Sequence, residues 1–128
     1  MHVVVMPTLM FKERFADLVA DGRKRQTIRP PRKRPIKVGD KLSLRKWSGA
    51  AYRTPQVKLR ETACERVMTI KIDESFHSFT FIVDGELLNQ EQWSKLARAD
   101  GFTCTTDMLD WFRETHGLPF EGVLIQWA

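Results

Sequence analysis

Apolar residues recur along this chain of 128 residues at two spacings, and the switches between them mark out its elements. Phe11, Phe15, Leu18 and Val19 follow a helical period and Gly22 supplies a stop, so residues 11–21 are expected to form a helix. The apolar start, Met1 to Pro7, reads as a first strand, and Gln26-Thr27-Ile28-Arg29 as a short extended piece cut off by Pro30. Val38-Gly39-Asp40 is a turn signal. After it Leu42 and Leu44 alternate with Lys41, Ser43 and Arg45, the pattern of a half-buried strand. Val57 and Leu59 alternate likewise, as do Cys64, Met68, Ile70 and Ile72, with one irregular place at Arg66. Phe79 to Val83 is a further strand, closed by Asp84-Gly85.

Two helices follow. Asn89 with Gln92 three residues later suits an N-terminal cap, and Trp93, Leu96 and Ala97 form a stripe that ends at Gly101. Thr105 or Thr106 is expected to cap the next helix, with Met108, Leu109 and Phe112 as its stripe and Gly117 as its stop. Gly122 to Trp127 is a last strand. Short strands interrupted by helices favour an α+β fold, a small mixed β-barrel with flanking helices, over a βαβ sheet. The length fits one domain over residues 1–128, without repeats or linkers, and the proline-rich stretch 30–35 is the one loose segment.

Composition narrows the chemistry. No apolar run approaches the roughly 20 residues that span a bilayer, and the start lacks the basic region of a signal peptide. Cys64 and Cys104 lie far apart with no C-x-x-C, so reduced thiols and a cytoplasmic home are expected rather than a disulfide framework or a zinc site. Phosphate-loop, dinucleotide, nucleophile-elbow and H-E-x-x-H signatures are absent. His2, His77 and His116 are isolated and read as surface or turn residues. Neither metal nor cofactor is expected. Enzymes whose base is a lysine remain.

The net charge of +5 is local. Residues 23 to 37 hold eight basic side chains and no acid, namely Arg23, Lys24, Arg25, Arg29, Arg32, Lys33, Arg34 and Lys37; the remainder is at −3. A concentrated patch attracts phosphate through counterion release, which points to nucleic acid or a nucleotide. The alternative is a solvated basic loop, since Arg32-Lys33-Arg34 sits between Pro30-Pro31 and Pro35.

The run Gly22-Arg23-Lys24-Arg25-Gln26-Thr27-Ile28-Arg29 after an amphipathic helix, followed by Val38-Gly39-Asp40-Lys41-Leu42-Ser43-Leu44 and Trp47, resembles the ASCH family. The similarity continues through Ala97-Arg98-Ala99-Asp100-Gly101-Phe102 and the closing Gly122-Val123-Leu124-Ile125-Gln126-Trp127. It implies a PUA-like barrel with a cleft between sheet and helices, acting on RNA or a nucleoside. Within the family the motif is most similar to that of small bacterial N4-acetylcytidine amidohydrolases, which use a lysine as proton acceptor, a threonine as nucleophile and a later glutamate as proton donor. Carried over, these roles fall on Lys24, Thr27 and Asp100, with Glu91 or Asp107 as alternatives for the carboxylate, because Asp100 is one methylene shorter. The alternative functions are a non-catalytic RNA-binding module and an ASCH-type ribonuclease.

A lysine serves as a base only where positive neighbours and desolvation lower its pKa, and Arg23, Arg25 and Arg29 are the available cations. Residues three apart on a regular strand face opposite ways, so a turn or bulge between Gly22 and Gln26 must bring Lys24 and Thr27 together. Asp100, before Gly101, is expected near a helix C-terminus, whose dipole disfavours its anion. Trp47 and Tyr52 flank a small turn where they can stack a base or anchor the loop, and Trp93, Trp111 and Trp127 read as core.

Overall fold

The computed structural model describes residues 6–76 and 78–128; His2, His77 and most of the strand expected over Met1 to Pro7 lie outside them. In chain order the described residues form β1 (Thr8–Met10), α1 (Glu13–Ala20), β2 (Gln26–Arg29), β3 (Lys41–Trp47) and β4 (Gln56–Ser75). Then come β5 (Ser78–Val83), β6 (Glu86–Leu87), α2 (Gln90–Ala99), α3 (Thr105–Thr115) and β7 (Phe120–Trp127).

β4 organises the sheet. Its first half pairs antiparallel with β3, from Lys41↔Ala63 to Trp47↔Gln56, and its second half with β7, from Cys64↔Trp127 to Ile72↔Phe120. Ile70 to Ile72 also pair with β5, so β5 and β7 flank β4 on opposite edges there. A register shift between Cys64 and Arg66 leaves Glu65 as the extra residue of a bulge. Such a bulge bends its strand, here where β4 leaves β3 and takes up β7. The irregularity at Arg66 is this bend, and the two alternating stretches around it are one strand.

β1 lies parallel to β3, and β2 antiparallel to β7. Among the described residues β1 and β2 do not pair, so the sheet they form stays open. The mixed α+β class therefore holds, with seven strands and three helices among the described residues, while closure into a barrel is absent. Across the open seam the Arg29 side chain reaches instead, its Nη2 donating to Met10 O at 2.7 Å.

Local differences from the sequence pattern have simple causes. α1 begins at Glu13 because Phe11 N still donates to Arg45 O, at 2.8 Å, and so extends the strand pairing. At α2 the capping box forms as expected: Gln92 N donates to Asn89 Oδ1, and Asn89 N to Gln92 Oε1. Neither Thr105 nor Thr106 caps α3. Cys104 holds the cap position without a side-chain bond, and Asp107 accepts instead from Thr103 N and Oγ1. Asp84-Gly85, both with positive φ, makes the two-residue turn from β5 to β6. The core fills the space between sheet and helices, with Val19, Leu42, Ile72, Phe81, Phe112 and Ile125 fully buried.

One close approach fixes β2. A Cβ on Gly122 would stand 2.3 Å from Arg29 O and 2.8 Å from the Phe120 ring. Gly122→Ala is therefore expected to push β2 off β7 and to destabilise the fold by about 1–3 kcal/mol, measured by urea unfolding.

Candidate functional site

Charged and polar side chains are rarely buried unless they are partnered. Among the described residues the buried ones are Lys24, Gln26, Thr27, Ser43 and Asp100, and all except Ser43 gather at one end of β2. Such a gathering inside an apolar core marks a candidate site.

Two glycines build it. Gly22, with φ of 83°, reverses the chain after α1, and Lys24 N then donates to Leu18 O at 2.9 Å. Lys24 thus sits in a turn ahead of β2, not on the strand, which is how Lys24 and Thr27 come to line one cavity. Asp100 is the C-cap of α2, followed by Gly101 with φ of 97° and a Phe102 N to Ala97 O bond of 2.9 Å. A Cβ on Gly101 would lie 3.1 Å from Lys24 Cδ and 3.0 Å from Phe15 Cδ1. The bare glycine lets the lysine stem pass over the helix end.

Lys24 Nζ donates to the main-chain O of Asp100 and stands 3.3 Å from its Oδ1. Gln26 Nε2 donates to the same Oδ1 at 3.3 Å, and Gln126 Nε2 donates to Gln26 Oε1 at 3.1 Å. Thr27 Oγ1 accepts from Arg29 Nε at 3.0 Å, and no hydrogen bond joins it to Lys24. The ammonium lies 4.9 Å from the centre of the Phe15 ring, and the Arg29 guanidinium 4.9 Å from that of Phe11, both within cation–π range. In front of these groups opens a cavity of about 220 Å³. Phe11, Phe15, Phe102 and Trp111 give it aromatic walls, and Lys12 and His116 bring basic groups to it.

Burial sets the electrostatics. It pushes Lys24 below the ordinary lysine range, against the attraction of Asp100, and Arg29 adds to the lowering. It pushes Asp100 above the ordinary carboxylate range, against Lys24, the Gln26 hydrogen bond and Arg29. Both partners are thereby moved toward their neutral forms. Arg29 is pulled down to about 10, chiefly by burial, and stays charged at neutral pH. His116 is lowered by burial and by the nearby Arg29 and Lys12.

The other candidate residues scatter. Of the three arginines expected around Lys24, only Arg29 lines the cavity; Arg23 is exposed and paired with Asp21 at 2.6 Å, and Arg25 is exposed and donates to Gly22 O. Among the carboxylates Asp100 alone lies in the cavity. Glu91 is exposed and pairs with Lys95, while Asp107 binds Arg14 and Thr103. Arg32, Lys33 and Arg34 are exposed, without an acidic partner among the described residues, on a loop pinned by buried Ile36. Trp47 and Tyr52 pack on each other at 5.0 Å, away from the cavity lining. Trp127 is buried as expected, but Trp111 is half-buried and walls the cavity. Gln26, His116 and the aromatic walls were not legible as site residues; the one available signal was a glutamine inside the motif run.

Among the described residues no group of three or more His, Cys, Asp or Glu side chains is placed to hold a metal, and no helix is long and apolar enough to cross a membrane. No family model matches the chain, and no curated protein or solved structure matches it significantly.

Removing one member of a buried ion pair costs about 3–5 kcal/mol, whereas replacing both with apolar residues is often neutral. Asp100→Leu is thus expected to destabilise strongly and Lys24→Met/Asp100→Leu to recover most of the loss in urea unfolding. The pH dependence has a definite sign. Folded Asp100 keeps its proton above about pH 3.9, where the unfolded carboxyl releases it, so wild-type stability falls relative to the double variant as pH rises through that window. Lys24, lowered by folding, gives the opposite slope on the alkaline side, up to about pH 10.4.

Proposed function

We propose that this chain is an amidohydrolase that cleaves the N4-acyl amide of acylated cytidines, on a PUA-like fold of the ASCH type. The observation that carries the reading is the meeting of Lys24, Thr27 and Asp100 in one aromatic-walled cavity. A planar base stacks on aromatic walls whatever its edge pattern. The proposed substrate is either a free nucleoside or a base within RNA.

The roles follow from the contacts. Neutral Lys24 keeps two N–H donors for Asp100 O and Oδ1 and offers its lone pair to the Thr27 hydroxyl proton. Thr27 Oγ attacks the acyl carbon, its proton passing to Lys24. The Arg29 guanidinium, donating to that oxygen at 3.0 Å, eases loss of its proton, and its fixed charge beside the reacting centre favours the oxyanion that forms on the acyl oxygen. When the tetrahedral adduct collapses, the C–N bond breaks and protonated Asp100 delivers its proton to the departing amine of cytidine. Water then attacks the threonine ester, giving a proton back to Asp100, while Lys24 returns its proton to Thr27 Oγ as the carboxylic acid is released. One carboxyl and one amine, each pushed toward neutrality by burial, suit an acid and a base that work near neutral pH.

A second reading has its own observation. Arg32, Lys33 and Arg34 are exposed and have no acidic partner among the described residues, and Arg32 is close enough to act on Arg29 at the cavity. That arrangement suits an RNA-binding module whose cavity holds a base without turnover. The nuclease alternative has no observation of its own here.

Incubation with N4-acetylcytidine, followed by chromatography for cytidine and acetate, separates the readings. Wild-type protein is expected to release both. Lys24→Ala and Thr27→Val should abolish release, and Asp100→Asn should lower turnover by roughly 10²–10⁴ with little change in binding. Full turnover in Lys24→Ala would remove lysine-base chemistry. Replacing Arg32, Lys33 and Arg34 with Ser is expected to weaken oligonucleotide binding and flatten its salt dependence, while free-nucleoside hydrolysis is largely kept.

A further inference from the structure

Asp100 has two carboxylate oxygens in unlike surroundings. Oδ1 receives Lys24 Nζ and Gln26 Nε2, each at 3.3 Å, while Oδ2 accepts no hydrogen bond among the described residues. Gln26 is itself buried, 4 % exposed, on β2 between the turn that carries Lys24 and the Thr27 hydroxyl. An amide in that place can present either its oxygen or its nitrogen. Gln126, from the neighbouring β7, donates to Gln26 Oε1 at 3.1 Å and so fixes the nitrogen toward Asp100.

We propose that Gln26, locked by Gln126, is the positioning residue that holds Asp100 by Oδ1 and leaves Oδ2 to carry the transferable proton, an inference that rests on the hydrolytic reading above. A carboxylic acid donates from one oxygen only, and two donors on Oδ1 make that oxygen the acceptor of the pair. Without Gln26 the carboxyl can rotate about its terminal torsion, which is broad and roughly two-fold, and present the wrong oxygen to the leaving amine. Misplacing a catalytic group by a fraction of its reach is enough to slow a positioned reaction. Gln26 touches neither nucleophile nor base in this role; it acts through Asp100. The charged or titratable groups near Asp100 are Lys24 and Arg29 beside it and Lys12 and His116 at the cavity, and none of them replaces a neutral donor on Oδ1.

The test pairs kinetics with a spectroscopic titration. In Gln26→Leu, kcat on N4-acetylcytidine is expected to fall by about 10- to 100-fold with KM little changed. Because the Gln26 hydrogen bond favours the Asp100 anion, its loss should move the alkaline limb of the kcat profile to higher pH. The NMR titration midpoint of the Asp100 carboxyl carbon should move the same way. Gln126→Leu, which only frees the amide to flip, should shift both by less in the same direction, and it serves where Gln26→Leu does not fold. An Asp100 midpoint unchanged in the folded variants overturns the assignment even if the wild type is active. A shifted midpoint in a protein that releases no cytidine supports the positioning and sinks the hydrolytic reading instead.

Discussion

The burial of Lys24 against the end of α2 is the interaction on which the rest of this molecule depends. The ammonium and the Asp100 carboxyl stand 3.3 Å apart, almost wholly removed from water. Desolvating two charges is expensive, and their attraction repays it only with good geometry and extra hydrogen bonds. Here the extra bonds come from Asp100 O and from Gln26. A pair of leucines would fill such a space at less cost. The pair instead sets an amine and a carboxyl, each driven toward the neutral form, on a cavity with a threonine hydroxyl on its wall.

The fold serves this placement by leaving a seam open. β4 bends at Glu65, where it leaves β3 and takes up β7, and among the described residues β1 and β2 do not pair. A closed barrel would fill the seam with backbone pairing. Instead Arg29 crosses it by side chain alone, and the helix ends of α1, α2 and α3 close round the gap. Gly22 supplies the positive φ of the turn before β2, and Gly101 and Gly122 each remove a Cβ where the lysine stem or the β2 carbonyl must come close. The site is thus made of rigid ends, not of a long loop.

Much of the scaffold was legible from spacing. The helix of residues 90–99 appears where periodicity and its cap predict it, and the helix of 105–115, the short strand at 26–29 and the break at Arg66 appear where periodicity alone does. Closure was not legible, because whether β1 and β2 pair depends on the bend in β4, a long-range effect that alternation does not record. Lys24, Thr27 and Asp100 were named from a resemblance, and their shared cavity depends on two tight turns that the glycines hinted at. The choice of Asp100 over Glu91 and Asp107 needed geometry, since all three sit near helix ends in the sequence. Arg23 and Arg25 illustrate the reverse error: charge adjacent in sequence points outward when the chain alternates. Gln26 was hidden by its ordinary chemistry, as an amide acquires a role only through the two partners that fix its orientation.

Burial lowers the proton affinity of Lys24 and so fits it for the role of base proposed above. Heteronuclear NMR titration of the Lys24 side-chain nitrogen tests it directly in the wild-type protein. A midpoint clearly below the unperturbed value of about 10.4, and moving lower still in Asp100→Asn, is the expected result. A midpoint at or above that value would show that the ion pair with Asp100 outweighs desolvation, and that Lys24 is a fixed cation rather than a proton acceptor.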